Sequence, residues 1–217
     1  MKRTTKEIDK MTNMLTNFII QHSDVKREDA DIIAFGVKYG LITLAEILGM
    51  VVISFLMREL IPGAVILIAF ISIRVYAGGY HAKTLPRCVV MSTILFTLII
   101  LGYKMLYLPI IVKGLIALFL GVLILIFSPV ENDNRRLSEN EKKVFKNRAL
   151  LFYSISLIIF MLIKKLSNIL VWAYLMILVV LIWGIVKERM KMTSERYVEN
   201  EEQKKVINRQ RMAALVL

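Results

Sequence analysis

The stretch RVYAGGYHAKTLPRC, from Arg74 to Cys88, holds the only cysteine of the chain and one of its two histidines. A thiol and an imidazole are the parts of an activated nucleophile and its base. On one continuous helix, seven residues would separate them by about 10 Å along the axis, too far for a proton to pass. The breakers between them change that. Gly78 and Gly79 tend to end a helix, Pro86 suits a helix's first turn, and Thr84 fits the N-cap before it. The spacing predicts a helix ending near the glycines, a turn that folds His81 back onto the sulfur, and a new helix from about Leu85. Cys88 then falls in the first turns of that helix, where exposed amides favour a thiolate. Arg74 and Arg87 add positive field if they point that way.

The residues alone leave alternatives open. Cys88 also fits a small buried side chain at a helix start, and His81 an interfacial polar group. One cysteine and two histidines are too few for a typical structural zinc site, so no metal is expected, and no cofactor. The surroundings of Gly78 lack a phosphate-loop pattern. A single cysteine excludes an intramolecular disulfide framework. His22 sits far off, in an N-terminal helical pattern, and reads as plain surface.

The elements around this stretch are apolar. Hydrophobic residues make up 57% of the 217, against about 45–50% in soluble domains, and the mean hydropathy is +0.64. A helical span needs about 20 mostly apolar residues. Six segments approach this: one within Ile32–Met57, then Ile61–Ala77, Val89–Lys104, Leu108–Val130, Ala149–Ile163 and Ile169–Val186. Six buried helices of a soluble protein are a poor alternative, because the polar sequence is too scant to cover them. Five spans, with one run re-entrant or two merged, would move one terminus across the membrane. The expectation is an all-α polytopic membrane protein of about six spans.

The net charge is +12. Beside long apolar runs, such an excess belongs at a membrane's inner face rather than on nucleic acid. With both termini inside, 23 of the 29 lysines and arginines fall on the cytoplasmic side; only Arg58, Lys104, Lys164 and Lys165 fall outside, and Lys38 and Lys113 lie within spans. The positive-inside rule therefore expects a cell-membrane protein with cytoplasmic termini and cytoplasmic loops at 78–88 and 131–148. Three regions follow. Residues 1–31 carry Ile8, Met11, Leu15, Phe18 and Ile19 at three-and-four spacing, an amphipathic helix for the inner leaflet or for packing on its own bundle. Nothing in them reads as a cleavable signal peptide. Residues 32–187 hold the spans, and residues 188–217 form a charged, solvated helical tail.

The order Arg74, Gly79, His81 and Cys88, inside a basic six-span chain of this size, resembles the AgrB family of membrane cysteine endopeptidases. The resemblance covers essentially the whole chain; its specific part is the R-x-x-x-x-G-x-H-x-x-x-x-x-x-C pattern, with no departure within it. It implies that His81 and Cys88 are the catalytic pair, supported by Arg74 and Gly79. It also implies an AgrD-like propeptide substrate with an amphipathic N-terminal helix, a central signal segment and an acidic tail. Cys88 would attack the carbonyl joining segment to tail. The tail would leave, and a Cys or Ser inside the segment would then take the acyl group to close a thiolactone or lactone.

Amide to thioester is uphill, so binding or removal of products must support the first step. A tethered nucleophile favours ring closure over hydrolysis. An acidic tail would be drawn to basic side chains; Lys83, Arg87, Arg135, Arg136, Lys142 and Lys143 are candidates, with topology signalling as their plain alternative. Glu46, a carboxylate within a span, is open to three roles: pairing with Lys38 or Lys113, lining the substrate path, or supporting the site. The lipid bilayer is an expected partner, a homodimer is conceivable, and nucleic acid is not expected. Two rival functions remain: a small transporter or membrane scaffold using Glu46 and Lys113, and a membrane acyltransferase using the same Cys/His pair on a non-peptide thioester.

Overall fold

The computed structural model describes residues 2–22, 30–80, 85–130 and 138–215. They form seven helices: α1 (Lys2–Gln21), α2 (Ala30–Leu56), α3 (Leu60–Ala77), α4 (Leu85–Met105), α5 (Ile110–Phe127), α6 (Glu139–Leu162) and α7 (Lys164–Leu215). Among the described residues, six helices are long and apolar enough to cross a membrane: the last six, over Ile33–Leu56, Leu60–Ala77, Arg87–Met105, Ile110–Phe127, Glu139–Leu162 and Lys164–Lys191. The chain is thus an all-α polytopic membrane protein.

Burial runs from inside to outside as lipid requires. The core gathers on α7, whose Val171, Tyr174, Met176, Ile177 and Leu181 are buried and which packs on α3, α4, α5 and α6. Outward-facing side chains are apolar too, such as Leu48, Ile68, Leu98, Leu118 and Ile158, as expected where hydrocarbon replaces water. Three hydroxyls inside the bundle are bonded: Tyr153 Oη donates to Ala117 O at 2.6 Å, Ser156 and Tyr174 share a bond of 2.8 Å, and Ser54 Oγ donates to Met50 O at 2.9 Å.

Three helix boundaries bear on the site. α4 starts at Leu85, where Pro86 was expected to open it. α6 starts ten residues earlier than its apolar run, at Glu139. Its N-cap Ser138 and Glu141 form a reciprocal capping box, which carries the helix through Lys142, Lys143, Lys146 and Arg148. α7 and the charged tail are one helix of 52 residues, since no proline interrupts 164–215. α1 packs on α2 with Thr12 and Thr16 buried, and Met11, Met14, Phe18 and Ile19 exposed. Its apolar stripe therefore faces away from the bundle.

Candidate functional site

The site is built where the ends of α3 and α5 meet the middle of α7. Gly78 caps α3, its N–H donating to Arg74 O at 3.1 Å. Both glycines have positive φ, +76° at Gly78 and +124° at Gly79, a region that side chains disfavour. The backbones also approach closely there. A Cβ on Gly78 would lie 2.2 Å from Val130 O, one on Gly79 would lie 3.1 Å from Val180 O, and one on Gly184 would lie 2.7 Å from Tyr80 N. The glycine pair is thus a contact as well as a turn, and Gly184 of α7 is its counterpart.

Hydrogen bonds lock this meeting point. Val130 N–H donates to Ala77 O and Tyr80 N–H to Val180 O, both at 3.0 Å. The Arg74 guanidinium donates to Tyr80 O at 2.6 Å. The Tyr80 ring lies against Trp183, centroids 5.4 Å apart, with Lys187 Nζ 5.2 Å from the Tyr80 centroid. Tyr80 is therefore held by its N–H, its carbonyl and its ring, and it is the residue directly before His81. Arg74, expected as a support, is one of the groups that hold it, and Gly79, the other, lies against Val180. His81 itself, with Lys83, Arg135 and Arg136, lies outside the described residues.

Cys88 is the fourth residue of α4 and is half-buried. Its neighbour Arg87 is exposed. Arg74 stands within electrostatic reach of Cys88 and of Glu46. Ser92, one turn beyond Cys88, hydrogen-bonds Glu46 Oε1 and also donates to Cys88 O at 2.6 Å. The bond of Glu46 is thus to α4, the helix that carries Cys88. Lys113 is 3% exposed and is engaged elsewhere, bonded to Asn168 Oδ1 with its ammonium 5.1 Å from the Tyr107 centroid. It opens on a separate cleft with Glu59, Tyr103 and Lys104.

A basic cleft lies close by in the fold. Lys142, Lys143 and Lys146 line a space of about 350 Å³ with Phe127, Ser128 and Glu188. Val130, two residues past Ser128, is bonded to the end of α3, so this cleft and the glycine pair share one end of the bundle. Lys142 also pairs with Glu139 at 3.0 Å; an exposed pair of this kind contributes little to stability. Arg148, from the same helix, lies 5.6 Å over the Tyr76 ring, which stacks on Phe152. Sequence reasoning missed Ser92, Lys146, Trp183 and Gly184. Ser92 had a signal, a hydroxyl four residues past the cysteine on the same helical face. Gly184 had only a faint one, a glycine inside an apolar helix.

The family model for Accessory gene regulator B matches residues 12–187. The match takes in α2 to α6, the apolar part of α7, and Glu46, Arg74, Gly79, His81, Cys88 and Ser92. No curated protein and no solved structure matches the chain.

Proposed function

The chain belongs to the accessory gene regulator B family, and we propose that it is a membrane cysteine endopeptidase acting on an AgrD-like propeptide. Cys88 is the nucleophile and His81 its base. The sulfur attacks the carbonyl between signal segment and acidic tail, and His81 takes the thiol proton. The C–N bond breaks, the proton passes to the leaving amine, and the tail departs. The signal segment stays as a thioester on Cys88. A thiol or hydroxyl within the segment then attacks that carbonyl, and the Cys88 sulfur leaves with a proton returned through His81. The product is a thiolactone or lactone ring.

The observation that carries this reading is the position of Cys88 in the first turn of α4, within the field of Arg74, while Arg74 also holds the carbonyl of the residue that precedes His81. A nucleophile and base brought together from separate segments need anchors on both. Cys88 is the second residue of the apolar span Arg87–Met105, at the edge of the lipid, where closure of the bound propeptide over the site would keep water from the thioester. The loop faces the cytoplasm in this reading, with both termini on the same side. Lys142, Lys143 and Lys146 attract the acidic tail.

The test is cleavage of the propeptide by membranes holding equal amounts of enzyme. Cys88→Ala and His81→Ala are each expected to abolish release of the tail. Normal release by Cys88→Ala would refute the assignment, and release by His81→Ala would remove the base from it.

A further inference from the structure

We propose that Glu46 and Ser92 act as a positioning pair for the nucleophile, and that Glu46 is not part of the substrate's binding surface. The inference deepens the proposed reaction and rests on Cys88 being its nucleophile.

A carboxylate at the depth of Glu46, mid-way along an apolar helix, is costly unless protein groups meet it. One does so directly: Ser92 bonds to it, and the charge of Arg74 acts on it from α3. The Ser92 bond ties α2 to α4 one turn beyond the sulfur. Ser92 follows Cys88 by one turn, about 6 Å along the axis.

The hydroxyl of Ser92 has a single hydrogen and three acceptors in reach, Glu46 Oε1 on α2 and Cys88 O and Val89 O of its own helix. Without Glu46, that hydrogen returns to the carbonyl of its own helix, the back-bonding that bends helices. With a carboxylate at Glu46, it points across to α2. The bond therefore fixes how α4 is turned about its own axis. A side-chain atom stands about 5–6 Å from that axis, so a turn of about 10° moves it by about 1 Å. A displacement of that size costs about a hundredfold in rate. Arg74, whose charge acts on Glu46 and Cys88, also holds Tyr80 O, at the residue before His81.

The test uses the full chain in proteoliposomes with a propeptide, measuring kcat and KM for tail release. Glu46→Ala and Ser92→Ala are each expected to lower kcat ten- to a hundredfold with KM unchanged. The double variant should lose no more than the worse single one, because one bond is removed in all three. Ser92→Thr, which keeps the hydroxyl, should restore at least half of the wild-type kcat. Full kcat in Ser92→Ala overturns the proposal even where Glu46→Ala fails to reach the membrane. A raised KM with unchanged kcat in Glu46→Ala overturns it in favour of substrate contact. Cys88→Ala is run alongside: if it cleaves, the proposed reaction falls; if it is dead while Ser92→Ala and Glu46→Ala are fully active, only the positioning pair falls.

Discussion

Adding a single methyl group at Gly184, almost a hundred residues from Cys88 in sequence, should disable the proposed peptidase activity. Its Cβ would lie 2.7 Å from Tyr80 N and 2.8 Å from both Gly79 Cα and Gly79 C. These are backbone atoms and no rotamer relieves them. Reaching ordinary contact at 3.4 Å requires the turn to retreat by about 0.7 Å. That shift strains the Tyr80 N–H to Val180 O bond, worth about 0.5–1.5 kcal/mol, on top of about 1–3 kcal/mol for overpacking. The same shift moves the residue before His81, and most of an ångström costs on the order of tenfold to a hundredfold in rate. Gly184→Ala should therefore lower the melting temperature in detergent by several degrees and cut tail release at least tenfold. Gly114→Ala is the control, since a Cβ there meets nothing within 4 Å; it should leave both quantities unchanged or slightly improve stability. Full activity in Gly184→Ala with an unchanged melting temperature would refute the claim that this close approach positions the turn.

Three further outcomes follow from the same geometry. Arg74→Lys keeps the charge but shortens and reshapes the donor that reaches Tyr80 O; tail release should fall at least tenfold at equal membrane content, whereas wild-type rates would show that charge alone suffices. Changing Lys142, Lys143 and Lys146 together to Gln should raise KM for an acid-tailed propeptide several-fold and flatten its dependence on salt; an unchanged KM and salt slope would leave those lysines to topology. Ser138→Ala removes the capping box of α6 and should cost about 1 kcal/mol, read as a lower melting temperature with kcat at wild-type level.

Helix number and the start of α4 were legible because hydrocarbon demands long apolar runs and proline marks a first turn. The start of α6 was not, because its first ten residues are charged and helical through a capping box, a local bond that hydropathy does not register. The length of α7 was hidden for a related reason: its apolar and charged halves differ in solvent but share one uninterrupted backbone. At the site, Arg74, Gly79 and Cys88 announced themselves by type and spacing within fifteen residues. Val130, Val180, Trp183 and Gly184 lie 42 to 96 residues beyond Cys88, and nothing local marks them as neighbours of the glycine pair and Tyr80. They enter through backbone approach and ring contact, which only packing reveals. Glu46 was legible as costly but not as to its partner. Ser92 supplied that partner, while Lys113, another charge within a span, bonds Asn168.

The reaction itself is tested most directly by trapping its intermediate. A propeptide whose internal nucleophile is changed to alanine cannot close the ring, so the acyl group should remain on the enzyme. After acid quench and digestion, mass spectrometry should find the signal segment, without its tail, on the peptide that contains Cys88, and neutral hydroxylamine should release it. An adduct on any other residue, or stoichiometric tail release with Cys88 never modified, would contradict the account.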